Sequence, residues 1–147
     1  MNSNDLTAGM YTYGQEQARE LRTNAPNMTD TEVMDNEAYI PEWRAGVQKA
    51  GAPVRRSGID QNYRTLQAHD STANPDWTPE SQPALFGLMH TTNPAKAKAW
   101  VAPSGTSGLY YLNECYVDGE AVYRQVYDGG NEYDALTLPE RWEIVEV

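Results

Sequence analysis

Up to about residue 40 the chain mixes polar runs with isolated apolar positions, and from Trp43 onward it breaks into short β-favouring runs closed by Gly, Pro, Asp or Asn. Gln15 to Arg22 is a helix-favouring polar run. Thr29-Asp30-Thr31-Glu32 has the capping-box spacing, in which the Thr and Glu side chains satisfy each other's free backbone donors, so a short helix is predicted to begin there and end before Asn36. Neither helical piece has enough apolar spacing to stand alone, since isolated helices this short are marginal in water. Both need something to pack on.

The predicted strands are Pro53-Val54-Arg55-Arg56 before Ser57-Gly58, Tyr63-Arg64-Thr65-Leu66, Leu109-Tyr110-Tyr111-Leu112, Cys115-Tyr116-Val117, residues 121–127, and Arg141-Trp142-Glu143-Ile144-Val145. Asp118-Gly119 between two β-favouring runs is a hairpin signal, and Asp128-Gly129-Gly130-Asn131 is a second turn. The fold class that follows is mainly β: a short N-terminal helical leader followed by two small antiparallel β modules. The expected divisions are a leader over 1–42, a first β module over 43–92, a linker at Asn93-Pro94-Ala95-Lys96-Ala97-Lys98, and a second β module over 99–147.

At 147 residues the chain holds one ordinary domain, or two minimal units that share burial. One Phe against ten Tyr and four Trp means that most of the aromatic mass carries a polar handle, a kind of side chain suited to wet interfaces. The single Cys115 cannot close an intramolecular disulfide, and a strand position makes it a small apolar residue rather than a nucleophile. No apolar run approaches the roughly 20 residues of a membrane span, and the N-terminus lacks a signal-peptide pattern, so no membrane insertion is expected.

The net charge of −10 is unevenly spread. Residues 1–40 carry seven acids against Arg19 and Arg22, residues 41–98 five acids against seven bases, and residues 99–147 nine acids against Arg124 and Arg141. An acidic C-terminal third would repel a phosphate backbone, and Arg55-Arg56 is too short for a basic patch, so no nucleic-acid partner is expected. Such asymmetry serves solubility, or orients neighbouring copies in an assembly. His69 and His90 have no metal-pair spacing, one Cys makes no thiolate cluster, and neither a phosphate-cradling Gly loop nor a Gly-x-Ser-x-Gly turn occurs. Scattered carboxylates are ordinarily a solvated face, so neither catalysis, metal nor cofactor is expected.

The most informative stretch is Gln67-Ala68-His69-Asp70-Ser71, then Asp76-Trp77-Thr78-Pro79 and Pro83-Ala84-Leu85-Phe86. It places a large aromatic in a proline-bounded loop that neither helix nor regular strand absorbs. An indole beside polar side chains suits recognition of a sugar face; the alternative is a Trp that plugs a small core. His69 is expected to bond backbone within its turn rather than act on a substrate.

The run from Gln61 to Phe86 resembles the chitin- and cellulose-binding modules of carbohydrate-binding families five and twelve, through Tyr63, Ala68, His69, Ser71, Trp77, Pro79, Pro83 and Leu85. Phe86 stands where that family has a second Trp, Asp70 where it has a Thr, and the loop between His69 and Trp77 is longer than the common form. The resemblance implies a sugar contact at Trp77 with His69, Ser71 and Pro79 around it. Trp100, Tyr110-Tyr111, Asp118-Gly119, Tyr123-Arg124, Pro139 and Trp142 follow a similar order and look like a second, degenerate copy, in which Tyr127 is the candidate platform. The phrases at Glu20-Leu21-Arg22, Met28 to Glu32 and Tyr39 to Trp43 resemble the helical leader of phage tail and head-fibre components. The resemblance therefore implies a phage virion surface protein, anchored by its leader, associating with other virion proteins and with copies of itself, and contacting host surface polysaccharide during adsorption. The competing expectation is a structural decoration or adaptor whose aromatics bury at subunit interfaces.

Overall fold

The computed structural model describes the backbone of residues 3–146 and the side chains of residues 14–146. Helix α1 spans Ser3–Asn24 and a short helix α2 spans Asp30–Asp35. Helix α2 begins where the sequence predicts, with Thr29 Oγ1 accepting from Glu32 N at 3.1 Å and Glu32 Oε1 accepting from Thr29 N at 3.2 Å. Helix α1 is longer than the expected Gln15–Arg22 run. Once its final turns are docked, each further residue adds a hydrogen bond without a new nucleation cost.

The docked face is Leu21 with Ala25, which pack with Val33, Met34 and Ile40 against Met89. Arg64 ties the same segment down: its guanidinium donates to Asp30 Oδ1 (2.9 Å), to the carbonyls of Ala25 (2.7 Å) and Met28 (3.1 Å), and across to the Gly51 carbonyl (3.0 Å).

Nine short strands follow. Strands β2 (Pro53–Arg56), β3 (Gln61–Thr65) and β5 (Phe86–Leu88) form an antiparallel sheet in the order β2-β3-β5. Tyr63 stands opposite Val54 on one side and Leu88 on the other. Strands β1 (Val47–Gln48) and β4 (His69–Asp70) pair as a small antiparallel ribbon. Strands β6 (Lys98–Ala99), β7 (Cys115–Asp118), β8 (Ala121–Gln125) and β9 (Trp142–Val145) make the third sheet in that order. The mainly β architecture behind an N-terminal helix is as expected.

Three local expectations differ. Strand β6 runs parallel to β7, so the sheets are not all antiparallel; residues 100–114 supply the long crossover that a parallel pair needs. The β7–β8 hairpin turns on Gly119-Glu120, one residue later than Asp118-Gly119, with Asp118 paired to Ala121 and Gly119 at φ 62°. The strand expected at Leu109–Leu112 is reduced to one bridge between Tyr110 and Asn131, because the Glu114 carboxylate takes the Tyr111 N–H at 2.7 Å and Asn113 turns the chain at φ 72°.

Tyr and Trp also form a core rather than only a wet surface. Tyr110, Tyr116 and Trp142 are buried, with Trp100 and Tyr123 packed on them. Their polar handles find backbone: Trp142 Nε1 donates to the Tyr133 carbonyl at 2.9 Å and the Tyr116 hydroxyl accepts from Ala135 N at 2.9 Å. Tyr110 lies between His90, with ring centroids 3.6 Å apart, and Trp100 at 4.8 Å.

Residues 93–98 hold the short 3-10 turn Pro94–Lys96 and lead into β6. Contacts bind this segment to its surroundings: Asn93 donates to Asp35, Thr92 N to Thr31 Oγ1, and Cys115 N to the Thr91 carbonyl. Lys98 bridges Glu37 at 2.7 Å and Asp60 at 2.9 Å, and Arg55 meets the same two acids while Asn62 donates to Glu37 at 2.8 Å. Burial alone would push the Glu37 carboxyl up, but the Lys98 and Asn62 hydrogen bonds and the Arg55 charge hold it below its usual range.

Replacing Arg64 by Met takes the guanidinium from Asp30 and from the Met28, Gly51 and Ala25 carbonyls, of which the last keeps Met28 N, so we expect a loss of about 3 kcal/mol in denaturant unfolding and loss of amide-exchange protection over residues 21–36; unchanged protection would show that apolar packing alone holds the leader. The opposite sign is expected at Thr65, which is 1% exposed and whose hydroxyl has no hydrogen-bond partner. Thr65→Val removes an unmet polar atom and should stabilise the chain by about 1 kcal/mol in the same assay, with destabilisation counting against this account.

Candidate functional site

The Trp77 loop is built as a chain of locked turns. Asp70 Oδ1 accepts from Thr72 N at 2.9 Å and from the Thr72 hydroxyl, which holds its carboxyl below the usual range. Asn74 N then bonds the Ser71 carbonyl (2.8 Å), Trp77 N the Asn74 carbonyl (3.0 Å), and Ser81 N the Thr78 carbonyl (3.0 Å). Leu85 N and Phe86 N share the Gln82 carbonyl at 3.0 Å each. Glu80 clamps the loop to β2 through a two-pronged pair with Arg56, whose Nε lies 2.8 Å from Oε2. Proline at residues 75, 79 and 83 restricts the backbone further. The result is a rigid support on which the Trp77 side chain is half-buried, with part of its surface open.

The other sequence-predicted residues take different places. Ser71 is 0% exposed, and its hydroxyl both accepts from Gly46 N (3.1 Å) and donates to the Gly46 carbonyl (3.3 Å), fastening the loop to the β1 ribbon. His69 is half-buried; its Nδ1 lies 2.8 Å from the Gln67 carbonyl and its ring meets Phe86 edge-on at 5.3 Å. That is the backbone bond expected of it, and its Nε2 is buried without a partner. Pro79 is buried under the loop and lines a hollow of about 300 Å³ with Tyr63, Pro83, Leu88 and Ser107. Burial pushes the Tyr63 hydroxyl up to about 12, so it stays protonated and able to donate. Tyr127 is 39% exposed in the C-terminal unit, but one face of its ring is covered by the Arg141 guanidinium 3.8 Å from the centroid. Ser71 and Pro79 are thus buried supports, His69 in β4 and Trp77 in the loop are both half-buried, and Tyr127 lies elsewhere.

Sequence reasoning missed a second feature, a groove of about 610 Å³ between the end of α1 and the β1–β2 region, where Arg22, Arg44 and Lys49 stand over Trp43, Pro26 and Pro53. Its signal was the excess of bases over acids in residues 41–98, together with the lone Trp43 at the leader's end.

The titratable groups of the interior serve structure. The Cys115 thiol is buried and pushed up to about 11 by that burial. His90, stacked on Tyr110, donates Nε2–H to the Gly108 carbonyl at 2.9 Å. Among the described residues no group of three or more His, Cys, Asp or Glu could hold a metal ion, and no helix is long and apolar enough to cross a membrane. No protein-family model matches the chain, and no curated protein matches it in sequence.

Burial pushes the Glu114 carboxyl up to about 7 against the pull of the Tyr111 N–H, and burial pushes His90 down to about 4 against the Gly108 carbonyl. Their linkages oppose. The folded chain keeps the Glu114 proton where the unfolded chain has lost it, so this stabilisation is complete below about pH 4.5 and fades as pH rises through about 7. The folded chain keeps His90 neutral, so that stabilisation is present above about pH 6.5 and fades as pH falls through about 4. Between these limits the two slopes cancel in large part. Glu114→Gln removes one of them, and its melting temperature should climb from pH 4.5 to pH 6.5 more steeply than that of the parent chain. Parallel profiles would refute this assignment.

Proposed function

We propose that the chain is a non-catalytic surface component of a phage virion, of tail or head-fibre or decoration type, that binds host surface glycans during adsorption through modules of carbohydrate-binding type. The observation that carries the reading is the hydrogen-bonded loop over residues 70–86, on which Trp77 stays half-buried rather than buried. A platform fixed in advance loses little conformational entropy when a ligand arrives. In this reading the indole stacks on the CH face of a sugar ring, worth about 1 kcal/mol beyond area burial. His69, Ser71 and Pro79 shape and support the loop, and Tyr127, clasped by Arg141, is the counterpart in the second, degenerate module. A single site of this kind is weak, and many copies on one particle raise the avidity. The leader over 1–42 provides the anchor, through the part of α1 that precedes Leu21.

A second reading, a purely structural decoration or adaptor, is favoured by a specific observation. Leu136 (82% exposed) and Ile144 (68%) line one shallow hollow of about 210 Å³, apolar surface that a neighbouring subunit would cover. The two readings are compatible in one virion protein.

The deciding experiment is retention of the chain and of Trp77→Ala on insoluble chitin, cellulose and host cell walls. We expect retention that drops by about tenfold or more in the variant at matched thermal stability. Equal retention of both proteins would remove Trp77 from the site, and retention of neither would leave the assembly reading.

A further inference from the structure

We propose that the groove between the end of α1 and the β1–β2 region is a second binding site, for carboxylated sugars of an acidic polysaccharide. The choice of a sugar as the ligand rests on the glycan-binding function proposed above. The residues lining the groove include none of the Trp77 loop.

Charge is the first argument. The chain carries eleven bases, and most are committed: Arg55, Arg56, Arg64, Lys98 and Arg124 form ion pairs, and Arg141 lies on Tyr127. Arg22, Arg44 and Lys49 have exposed side chains with no hydrogen bond or ion pair among the described residues, and all three line this one groove. The groove's acid, Glu42, is turned to other work, both of its oxygens lying 3.2 Å from the Ser57 N–H. A protein of net charge −10 therefore carries a local basic rim whose charges stabilise nothing else visible in the fold, apart from the favourable place of Arg22 in the last turn of α1.

Shape and surface are the second. The volume, about 610 Å³, lies within the range of small-ligand sites. The walls are apolar and stiff: Pro26, Pro41 and Pro53 have no side-chain rotamers to freeze, and the Arg56 guanidinium lies over the Trp43 ring, 5.4 Å from its centroid. Gly51, at φ 83°, lets the β1–β2 turn close onto Pro26, which a Cβ would meet at 3.1 Å.

Backbone chemistry is the third, and it separates a sugar from a peptide. Extended peptides are captured chiefly by adding a strand to a free sheet edge. Here the outer edge of β2 is already taken by residues 41–43, with Trp43 N bonded to the Arg55 carbonyl at 2.9 Å and Arg55 N to the Pro41 carbonyl at 2.8 Å. Strand β1 is two residues long and paired with β4. What the groove offers is ring surface for the CH face of a pyranose and guanidinium and ammonium donors for its carboxylate, the pairing that arginine makes in two-pronged form.

The test uses the whole chain and oligogalacturonate of about six residues, titrated calorimetrically at low and at physiological salt, where exposed charge contacts weaken. Three comparisons accompany it: the methyl-esterified oligomer, polyglutamate of matched charge, and variants Arg44→Ala/Lys49→Ala and Lys96→Ala, the last a base outside the groove. We expect the acidic oligosaccharide to bind. We expect affinity to fall at least about tenfold on esterification and in the groove variant, while Lys96→Ala stays unchanged. Arg44 and Lys49 are exposed and Lys96 is half-buried without a side-chain hydrogen bond or ion pair among the described residues, so folding should survive, and equal melting temperatures verify it. No binding, equal losses in both variants, or polyglutamate binding as tightly as the oligosaccharide would each overturn the proposal. Trp77→Ala distinguishes the two sites. Oligogalacturonate binding that survives in that variant assigns it to the groove, and binding that vanishes there overturns the groove. Retention on neutral polymers without any acidic-sugar binding overturns the groove alone and leaves the Trp77 reading standing.

Discussion

One guanidinium joins the helical start of this chain to its β sheet. Arg64, in the middle strand β3, reaches out of the sheet and donates to three carbonyls, two of them where the leader passes from α1 into α2, of which that of Ala25 also accepts from Met28 N, and one in the β1–β2 turn. The first two follow the end of α1, where a helix leaves backbone acceptors without intrahelical partners. A single side chain with several donors in a fixed fork supplies them all, with Asp30 balancing its charge. The apolar contribution beside it is modest, a patch of Leu21, Ala25, Val33, Met34 and Ile40 against Met89. Polar geometry sets where the leader lies, and apolar burial then stabilises that placement. The groove exists because of this, since Arg22 and Pro26 meet the β1–β2 region only while the leader is held there.

The C-terminal unit solves the same shortage of aliphatic mass differently. Its core is a stack of rings, Tyr110 between His90 and Trp100, with Tyr116 and Trp142 edge-on to them. Rings with polar ends can be buried when those ends reach backbone, as Trp142 and Tyr116 do. Buried this way, each ring also fastens an irregular segment, residues 133–135, that has no sheet to hold it. Gln125 and Asn131, both 0% exposed, continue the pattern by donating to carbonyls of the 127–133 loop.

Sequence made the local features legible where the chemistry is local. The Thr29–Glu32 capping box spans four residues and depends on nothing distant, and it forms as read. The runs at Pro53–Arg56, Cys115–Asp118 and Trp142–Val145 are β-branched or aromatic and flanked by breakers, and they are strands. The strand predicted at Leu109–Leu112 has the same composition, but the Glu114 carboxylate claims the Tyr111 N–H before a neighbouring strand can. Strands β1, β4 and β6 are two residues each, too short to carry a periodic signal, and exist only because a partner lies alongside. The same division holds for the site. The proline-bounded loop could be read from sequence, because proline acts on its own backbone. That Ser71 would be spent entirely on Gly46 could not, since the partner lies 25 residues away.

The uneven charge of the chain resolves into two populations of bases. Arg55, Arg56 and Lys98 in the basic middle are drawn inward by Glu37, Asp60 and Glu80, and there they fix the β2–β3 turn and the start of β6. Arg55 and Lys98 share Glu37 and Asp60, so in that quartet each charge has two partners and the cost of partial burial is spread over a network, while Arg56 and Glu80 pair with each other. Subtracting Arg55, Arg56, Lys98 and Arg64 leaves Arg44, Lys49 and Lys96 as the bases of residues 41–98 without an ion pair among the described residues, and two of these three flank the same groove. Solubility gives no reason for that concentration, because the acidic flanks already supply the net charge. A rim of unused cations over rigid proline and tryptophan surface is instead what recognition of an anion requires: direction from the charges, contact area from the rings, and little to reorganise in either.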